Sequence, residues 1–371
     1  MPANKKHHYV PRLYLKNFSS NDKTINLFNL NRDIVICGGK LKSQCYRDYL
    51  YGIEDGLEKA LGIIEGEAAK QFREIRKELK PPKSESADYG NFLTFVIFQR
   101  NRTLYAARSI NEMLVSIAKK YISYRPDVPE NIFEKISINV NDPVIHALKA
   151  ANHSLHFAMD LSCKLLLAKK GSEFITSDNP VVYYNQALEA CHSHQGIGTA
   201  SKGLQIFFPI SPEISILFYD ASVYKVGGRR EQTIQVTEQR DMDQINTLML
   251  ANTEENIYFL TSDKINLREI KRGKKFRLEN TGILHALPEK RTEQEQSDIL
   301  IHQGIRPKTG LQLTFLKELT AAKELRNLIN SGHLRHPGLL RDPVLVTWDQ
   351  LWQESVEAGN KQNFFEFMAS Q

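Results

Sequence analysis

Two adjacent histidines near the start of the chain, His7 and His8, are the first side chains that could do chemistry. An imidazole is the usual general acid or base near neutral pH and is also a common metal ligand. Adjacent residues of an extended strand point to opposite faces, so only one of the two is expected to face a given site. The alternative is a structural pair, in which one imidazole binds buried carbonyl groups and the other is solvated.

Positively charged and aromatic side chains surround this pair and could bind a substrate. The positive charges would attract phosphate, and the tyrosines offer flat surfaces on which a nucleic-acid base could stack. The candidates for substrate binding are Lys5, Lys6, Tyr9, Arg12, Tyr14 and, further along the chain, Arg102. A solvated chain terminus is the ordinary alternative for the charges.

Glu65 is a candidate carboxylate in residues 54–80, where apolar residues recur at helical spacing. At roughly 100° per residue it lies about 60° from the centre of the apolar stripe. We therefore expect it at the edge of the core, where a carboxylate needs a partner or has its pKa raised. Glu58, one heptad earlier, shares this edge.

The next helical segment supplies partners for Glu65, because its apolar run ends abruptly in "QRNRT". Gln99 and Arg100 therefore leave the core at that point, close to Arg102. Arg100 is expected either to form a structural ion pair with Glu65 or to hold a phosphate or carboxylate in a bidentate grip. The structural ion pair is favoured, because an unpaired buried carboxylate is costly.

The sequence "FITSDNPVV" at 174–182 ends a predicted strand in four polar residues. Pro180 disfavours helix at Asn179 and fixes a turn, and a rigid turn at a strand end is a good place for a site. Asp178 is expected to hold a divalent metal together with Glu65 or to act as a base, with Asn179 beside it as a catalytic residue. The competing interpretation is an Asx-turn, in which Asp178 or Asn179 binds its own backbone.

Two other groups of ligand-type residues give weaker signals. His153, His156 and Asp160 would share one face of a helix, and a loop brings Cys191 close to His192 and His194. Neither group has the spacing of a known zinc signature, so structural or surface residues are favoured. The glycine-rich "GIGTASKG" does not match a phosphate-binding loop and is interpreted as a connection that could fold over a ligand.

Composition and charge restrict the class of protein. The 371 residues are 41% hydrophobic and 25% charged, which is typical of a globular protein, and the formal net charge of +6 permits a phosphate-bearing partner. No apolar run is long enough for a transmembrane helix and no apolar signal core follows the N-terminus, so we expect a cytoplasmic location. The four cysteines form no CxxC pair and are expected to be reduced thiols.

The elements that must position these residues are predicted to be long helices followed by strands. Helices are predicted over 54–80, from about Ala87 through "FLTFVIF" to residue 122, and from Asp142 to Gly171. The predicted strands are "TINLFNL" and "DIVICGG" before these helices, and "EFITSD", "PVVYY", "LQIFFPI", "ISILFYD" and "NIYFLTS" after them. One more helix, "TEQRDMDQINTLMLANT", precedes the last strand. The class is therefore α+β, with a mostly antiparallel or mixed sheet.

The chain is predicted to form one main domain over residues 1–279. Its helical part covers about 54–171 and its sheet part about 172–279. From about residue 280 the sequence becomes polar and mixed, so residues 280–371 are interpreted as an appended, partly helical and peripheral segment.

Three pieces of the sequence resemble a known bacterial family. They are "HHYVPRLYLKNF" at 7–18, "IIEGEAAKQF" at 63–72 and "FITSDNPVV", and they occur in the expected order. The family is known as domain of unknown function 4238, and the resemblance covers roughly residues 5–265. It implies a single compact unit and no established activity, so every expectation about chemistry comes from the residues themselves.

The polar residues together favour a phosphodiesterase, and within that class a nuclease. His7 or His8 would act as general acid or base, and Glu65 with Asp178 would hold Mg²⁺ or Mn²⁺ or orient water. Arg100 and Gln99 would stabilise charge on the phosphorane. By analogy with other bacterial proteins of this size, a role in phage defence or as a toxin is expected.

Two other functions stay open on the sequence alone. The first is a non-catalytic sensor or adaptor, in which the same cluster binds a nucleotide-like anionic ligand and residues 280–371 contact a protein partner. The second is a purely structural role for all the conspicuous residues. Ligand-induced stabilisation without turnover would favour the sensor, and loss of melting temperature without selective loss of activity would favour the structural role.

Overall fold

The computed structural model describes residues 5–54, 56–125, 138–191, 196–261, 273–277, 279–290, 296–332, 336–362 and 364–370. Its class is α+β, as the sequence predicts. The helices are α1 (Arg12–Leu15), α2 (Gly56–Glu78), α3 (Ala87–Asn101), α4 (Leu104–Ser123), α5 (Pro143–Ser154), α6 (Gln239–Ala251), α7 (Thr320–Asn330), α8 (Pro343–Glu357) and α9 (Phe364–Ala369). Among the described helices, none combines the length and the apolar composition needed to cross a membrane.

Helix α2 forms where its periodicity predicts. Leu61, Ala68, Phe72 and Ile75 are buried along one stripe, and the helix stops before Pro81–Pro82. Proline lacks the backbone N–H that a continuing helix needs, which explains this end.

The single helix predicted from Ala87 to residue 122 is wrong, because the structure has two helices there. Helix α3 ends at Asn101 and α4 begins at Leu104. Thr103 starts α4 as its N-cap, with its Oγ1 accepting a hydrogen bond from the N–H of Ala106 at 3.2 Å. Threonine is a favoured N-cap residue, and this break leaves Arg102 at the end of α3.

The third predicted helix is correct only in its first half. Helix α5 ends at Ser154, and residues of the second half form strand β5 (Ser162–Leu167). This strand pairs with a neighbour on each side, and Leu165 and Leu166 are both fully buried. A strand buried on both faces shows an apolar run without alternation, so its sequence cannot be told from a buried helix.

Two sheets of more than two strands lie in the described part of the chain. The larger sheet contains β5, β7 (Val182–Tyr184), β8 (Gln205–Ser211), β9 (Ile214–Tyr219) and β11 (Thr233–Gln235). Its strand order is β11-β5-β9-β8-β7, and all neighbours are antiparallel except the parallel pair β11 and β5.

The smaller sheet is antiparallel and has the order β3-β2-β12-β6. It contains β2 (Thr24–Asn29), β3 (Ile34–Lys40), β6 (Thr176–Ser177) and β12 (Asn256–Phe259). Three further antiparallel pairs join β1 (Lys6–His8) to β4 (Tyr46–Asp48), β10 (Tyr224–Val226) to β15 (Leu316–Glu318), and β13 (Gly282–Lys290) to β14 (Gln296–Gly304).

Aromatic side chains join the N-terminal segment to the helices and the larger sheet. The ring of Tyr14 in α1 stacks on Phe208 of β8 at 5.1 Å, and Phe72 of α2 lies 6.2 Å from Tyr14. Burying large apolar rings is a main source of stabilisation in a core. Helix α1 is therefore packed into the core through Tyr14.

Part of residues 280–371 lies in the main core, which differs from the peripheral position expected for this segment. Leu311, Leu313 and Leu316 are buried in the same apolar cluster as the larger sheet, and Leu325 of α7 joins them. Leu311, Gln312, Leu313, Thr314 and Phe315 alternate between apolar and polar residues, which is the period of a half-buried extended segment. A small cluster around Trp352 packs α8 and α9 together at the end of the chain.

Candidate functional site

A pocket of about 210 Å³ lies between the N-terminal segment and the first half of α2. Its polar lining residues are His8, Arg12, Glu58, Glu65 and Arg102. They come from β1, α1, α2 and the end of α3, so the pocket depends on packing between the chain terminus and the helices. We call this the N-terminal pocket.

His7 is buried and serves to hold this pocket together. Its Nδ1 accepts a hydrogen bond from the N–H of Tyr51 at 3.0 Å, and the two rings stack at 5.3 Å. Because Nδ1 is an acceptor, the proton of a neutral ring lies on Nε2, which is 4.0 Å from Oε2 of Glu58. His7 itself does not line the N-terminal pocket, but it contacts two residues that do, Tyr51 and Glu58.

His8 is the histidine that lines the pocket. Burial lowers the pKa of its imidazole and the positive charge of Arg12 adds to this, while a hydrogen bond to the backbone of Lys42 and the charge of Glu65 oppose it. Its Nε2 is buried and has no hydrogen-bond partner among the described residues. In the neutral tautomer that has its proton on Nδ1, Nε2 carries the lone pair and is the atom that can accept a proton.

Arg102 is the cation inside the pocket, and only 2% of it is exposed. Its Nη1 donates to Oε1 of Glu65 at 2.8 Å, and its Nε donates to Oε1 of Gln99 at 2.9 Å. Gln99 is held in turn by a bond from its Nε2 to the carbonyl of Tyr9 at 3.0 Å. The buried Nη2 of Arg102 has no partner in the described part of the chain and is the donor left for a ligand.

The expected ion pair between Arg100 and Glu65 is wrong, because Arg102 takes that position. The guanidinium of Arg100 lies 4.4 Å from the ring of Tyr183 and 5.5 Å from that of Tyr105. Arg100 is still within α3, whereas Arg102 lies beyond its last turn and takes another direction. Arg100 does not line the N-terminal pocket.

Asp178 is almost fully buried and anchors the chain before β12. Its two carboxylate oxygens accept hydrogen bonds from the N–H groups of Glu254, Glu255 and Asn256 at 3.0, 2.7 and 3.0 Å. Burial raises the pKa of Asp178 to about 7, although the three N–H groups act in the opposite direction. Asp178 does not line the pocket that contains Glu65, so the two carboxylates expected to share a metal have separate surroundings.

Asn179 links this corner to the helix break that carries Arg102. Its Nδ2 donates to the carbonyl of Asn252 at 2.8 Å, and its Oδ1 accepts from Oγ1 of Thr103 at 3.3 Å. Its own N–H donates to Oγ of Ser177 at 3.0 Å, which is the local turn bond that serine commonly makes. The "TSDNP" corner is thus hydrogen-bonded to Thr103, the neighbour of the pocket residue Arg102.

The two tyrosines predicted to stack on a base are inside the protein. Tyr14 is fully buried, and its hydroxyl group bonds to Oγ1 of Thr176 at 2.5 Å and to the carbonyl of Pro209 at 2.6 Å. Tyr9 is 5% exposed. Neither ring presents a face to solvent, so both act in the core.

The two N-terminal lysines lie on the surface beside the β1–β4 pair. The ammonium group of Lys5 is 3.1 Å from Oδ2 of Asp48, and that of Lys6 lies 4.6 Å from the centre of the Tyr46 ring. Of the six residues predicted to bind substrate, only Arg12 and Arg102 line the N-terminal pocket. Tyr51 also lines this pocket but was not predicted, because the sequence around it shows no pattern that indicates a site.

The weaker groups of ligand-type residues have structural explanations where the structure describes them. Nε2 of His156 lies 3.0 Å from Oδ1 of Asp349, and the His156 ring stacks on Phe364 at 4.0 Å. His192 and His194 lie outside the described residues. Within the described ranges, no group of three or more His, Cys, Asp or Glu residues is arranged to hold a metal ion.

Comparison with known protein families adds one finding. The sequence model of the family described as protein of unknown function (DUF4238) matches residues 6–263. The chain belongs to this family. The match covers every residue of the N-terminal pocket and the "TSDNP" corner, so the resemblance seen in the sequence is confirmed. No curated protein and no solved structure matches the chain.

Proposed function

We propose that the N-terminal pocket hydrolyses a phosphodiester and that the protein is a nuclease. The observation that supports this is a pair of buried atoms with no described partner, Nε2 of His8 and Nη2 of Arg102, on residues that line the same pocket. Nε2 of His8 offers a lone pair, and Nη2 of Arg102 offers a charged N–H group. An unpaired buried donor costs about 1–3 kcal/mol, which a phosphoryl oxygen in the pocket would recover.

The proposed step is attack of water on phosphorus. Nε2 of His8 takes a proton from the water, the water oxygen forms a bond to phosphorus, and the bond from phosphorus to the leaving oxygen breaks. The leaving oxygen takes a proton from solvent, so a diester and water give a monoester and an alcohol. Nη2 of Arg102 donates to the oxygen on which negative charge grows, which is electrostatic stabilisation of the transition state.

Two acidic side chains complete the proposed site. Glu65 holds Arg102 in place through the bond at 2.8 Å, and Glu58, one heptad earlier on α2, also lines the pocket. Mg²⁺ is often bound by one or two carboxylates together with water and substrate phosphate, which fits Glu58 and Glu65. A bound Mg²⁺ or Mn²⁺ would neutralise phosphate charge here, with Glu58 in the role that the sequence assigned to Asp178.

The test is cleavage of labelled RNA, labelled DNA and bis(p-nitrophenyl) phosphate, each with Mg²⁺, with Mn²⁺ and with EDTA. His8→Gln removes the imidazole, and His146→Gln is the matched control because His146 is exposed and outside the pocket. We expect cleavage by the wild type and by His146→Gln, and a loss of about 10²-fold or more for His8→Gln. Equal cleavage by all three proteins, or none by the wild type on any substrate, contradicts the proposal.

A role in phage defence or as a toxin belongs to the same proposal. If the pocket cleaves nucleic acid in the cell, overproduction of the wild type should slow growth and overproduction of His8→Gln should not. Equal growth inhibition by both proteins would separate any toxicity from the proposed chemistry.

The second candidate function is a sensor that binds a nucleotide without turnover and contacts a protein partner. One observation favours it: α8 exposes Val344, Leu351 and Val356, which a partner could cover. A nucleotide that raises the melting temperature of the wild type, with no product formed on long incubation, would favour this function over the nuclease.

A further inference from the structure

A second, larger groove continues the N-terminal pocket along α2. It has a volume of about 500 Å³ and lies between the turn at Lys16–Phe18 and the C-terminal half of α2. Leu13 lines both cavities and marks the boundary between them. We call this second cavity the α2 groove.

The α2 groove is rich in positive charge. Lys16, Arg73 and Arg76 line it, and among the described lining residues Asp22 is the one acid. The ammonium group of Lys16 is 3.7 Å from Oδ2 of Asp22, which offsets one of the three positive charges. Arg73 forms no ion pair with a described residue, so the groove keeps a net positive charge on exposed arginine side chains.

Asn17 gives the groove a fixed hydrogen-bonding centre. Its Oδ1 accepts a bond from Nη1 of Arg76 at 3.0 Å, which orients that guanidinium. Its Nδ2 is buried and has no hydrogen-bond partner among the described residues. A buried donor without an acceptor costs about 1–3 kcal/mol, and an oxygen of a bound phosphate would supply the acceptor.

The α2 groove lies farther towards the C-terminal end of α2 than the N-terminal pocket, in which the reacting phosphate is proposed to bind. Arg76 follows Glu65 by eleven positions, which is about 16 Å along a helix at 1.5 Å per residue. At about 100° per residue the two positions differ by only about 20° around the axis, so they share one face. A duplex strand advances about 3.4 Å per nucleotide, so 16 Å corresponds to several nucleotides.

We infer that the α2 groove binds the phosphate backbone of a polynucleotide whose neighbouring phosphodiester lies in the N-terminal pocket. This inference rests on the proposed function, and it names the substrate as a nucleic-acid strand of several nucleotides instead of a mononucleotide or a cyclic dinucleotide. Arginine forms bidentate bonds with phosphate, and such contacts fix position without reading sequence. The groove therefore selects for strand length and not for base identity.

The test is equilibrium binding of a fluorescein-labelled single strand of about 12 nucleotides, a length within the range of single-strand binding sites. DNA and RNA strands are compared, and all proteins carry His8→Gln so that the strand is not cut. The groove variant is Arg73→Gln with Arg76→Gln. The matched control is Lys70→Gln with Lys77→Gln, which removes the same charge from the same helix at positions about 120–140° from Glu65.

Two lost phosphate contacts should reduce the slope of log K against log salt concentration by about 1.4, at about 0.7 per contact for single strands. Between about 50 and about 200 mM salt, the parent should therefore lose about sevenfold more affinity than the groove variant. The control should keep the slope and affinity of the parent. Lys70 and Lys77 each pair with a neighbouring glutamate on the surface, and such pairs add little stability.

Equal binding by the parent and the groove variant, or equal weakening by the groove variant and the control, overturns the inference. These results leave hydrolysis of the small diester untouched, so the proposed function could survive them. Strand binding that follows the groove arginines, without cleavage of any substrate by the wild type, would instead overturn the proposed function and keep the groove as a nucleic-acid site.

Discussion

Replacement of Arg102 by methionine tests the assembly of the N-terminal pocket. The change removes the bond to Glu65 at 2.8 Å and the bond to Gln99 at 2.9 Å while keeping an apolar stem of similar length. Breaking a buried ion pair by removing one partner costs about 3–5 kcal/mol. Because the side chain of Glu65 is 25% exposed, the lower end of that range applies.

The amide oxygen of Gln99 adds to this cost. Gln99 is 1% exposed, and a buried acceptor left without its donor costs about 1–3 kcal/mol. Together the two losses predict that Arg102→Met lowers the free energy of unfolding by about 4 kcal/mol. Adding Glu65→Leu should recover part of this loss, because it removes the unpaired carboxylate. The interaction free energy between Arg102→Met and Glu65→Leu should be about 3 kcal/mol.

The assay is urea unfolding followed by fluorescence and by circular dichroism, whose coincidence checks that a single free energy is defined. The matched control is Arg100→Met, which loses the contacts of its guanidinium with the rings of Tyr183 and Tyr105 and should cost about 1 kcal/mol. Glu65→Leu should show no coupling to Arg100→Met. Coupling of Glu65 to Arg100, or a coupling to Arg102 below about 0.5 kcal/mol, would refute the reasoning.

Three further predictions follow from single residues. Asp178→Ala should lower the free energy of unfolding by more than about 3 kcal/mol, because three buried N–H groups lose their acceptor, and Asp178→Asn should cost less in the same urea assay. The pKa of His8 is lowered in the folded protein, so the unfolded chain binds more protons below about pH 6.5 and stability falls as the pH drops. Urea midpoints of His8→Gln should therefore fall less than those of the wild type between about pH 7 and about pH 5. Cys37 is the one exposed thiol among the four cysteines, so a thiol reagent should modify one group rapidly in the native protein and four after unfolding.

Much of the fold could be predicted from the sequence because its periods are regular. The apolar stripe of α2 placed Glu65 at the core edge, where its side chain is 25% exposed. The strands β7, β8, β9 and β12 form within the apolar runs that predict them. The adjacent pair His7 and His8 divides into one buried and one pocket-lining imidazole, as alternation along a strand requires.

The partner of Glu65 was missed because it depends on a helix break. Reading 87–122 as one helix placed Arg100 at the end of the apolar run, but α3 ends at Asn101 and Thr103 starts a second helix, so the chain changes direction at Arg102. A threonine followed by a new apolar period is a usable signal for such a break. The sequence contains this signal at the threonine of "QRNRT". No glycine or proline, the usual markers of a helix end, accompanies it there.

The role of Asp178 could not be predicted from local sequence. Its carboxylate accepts hydrogen bonds from backbone groups more than seventy residues later, at Glu254, Glu255 and Asn256. Every non-proline residue carries an equivalent N–H group, so no side-chain pattern marks these donors. A polar corner at a strand end is consistent with a site or an anchor, and only the fold decides between them.

The most direct test of the central claim is a crystal structure of the protein with a phosphorothioate oligonucleotide, which resists cleavage. The account predicts one phosphoryl group in the N-terminal pocket, with an oxygen about 2.7–3.2 Å from Nη2 of Arg102 and Nε2 of His8 facing the phosphorus. The strand should continue past Leu13 towards Arg76. A strand bound elsewhere, with Arg102 and His8 still without a ligand, would contradict the claim that these two residues form the reaction centre.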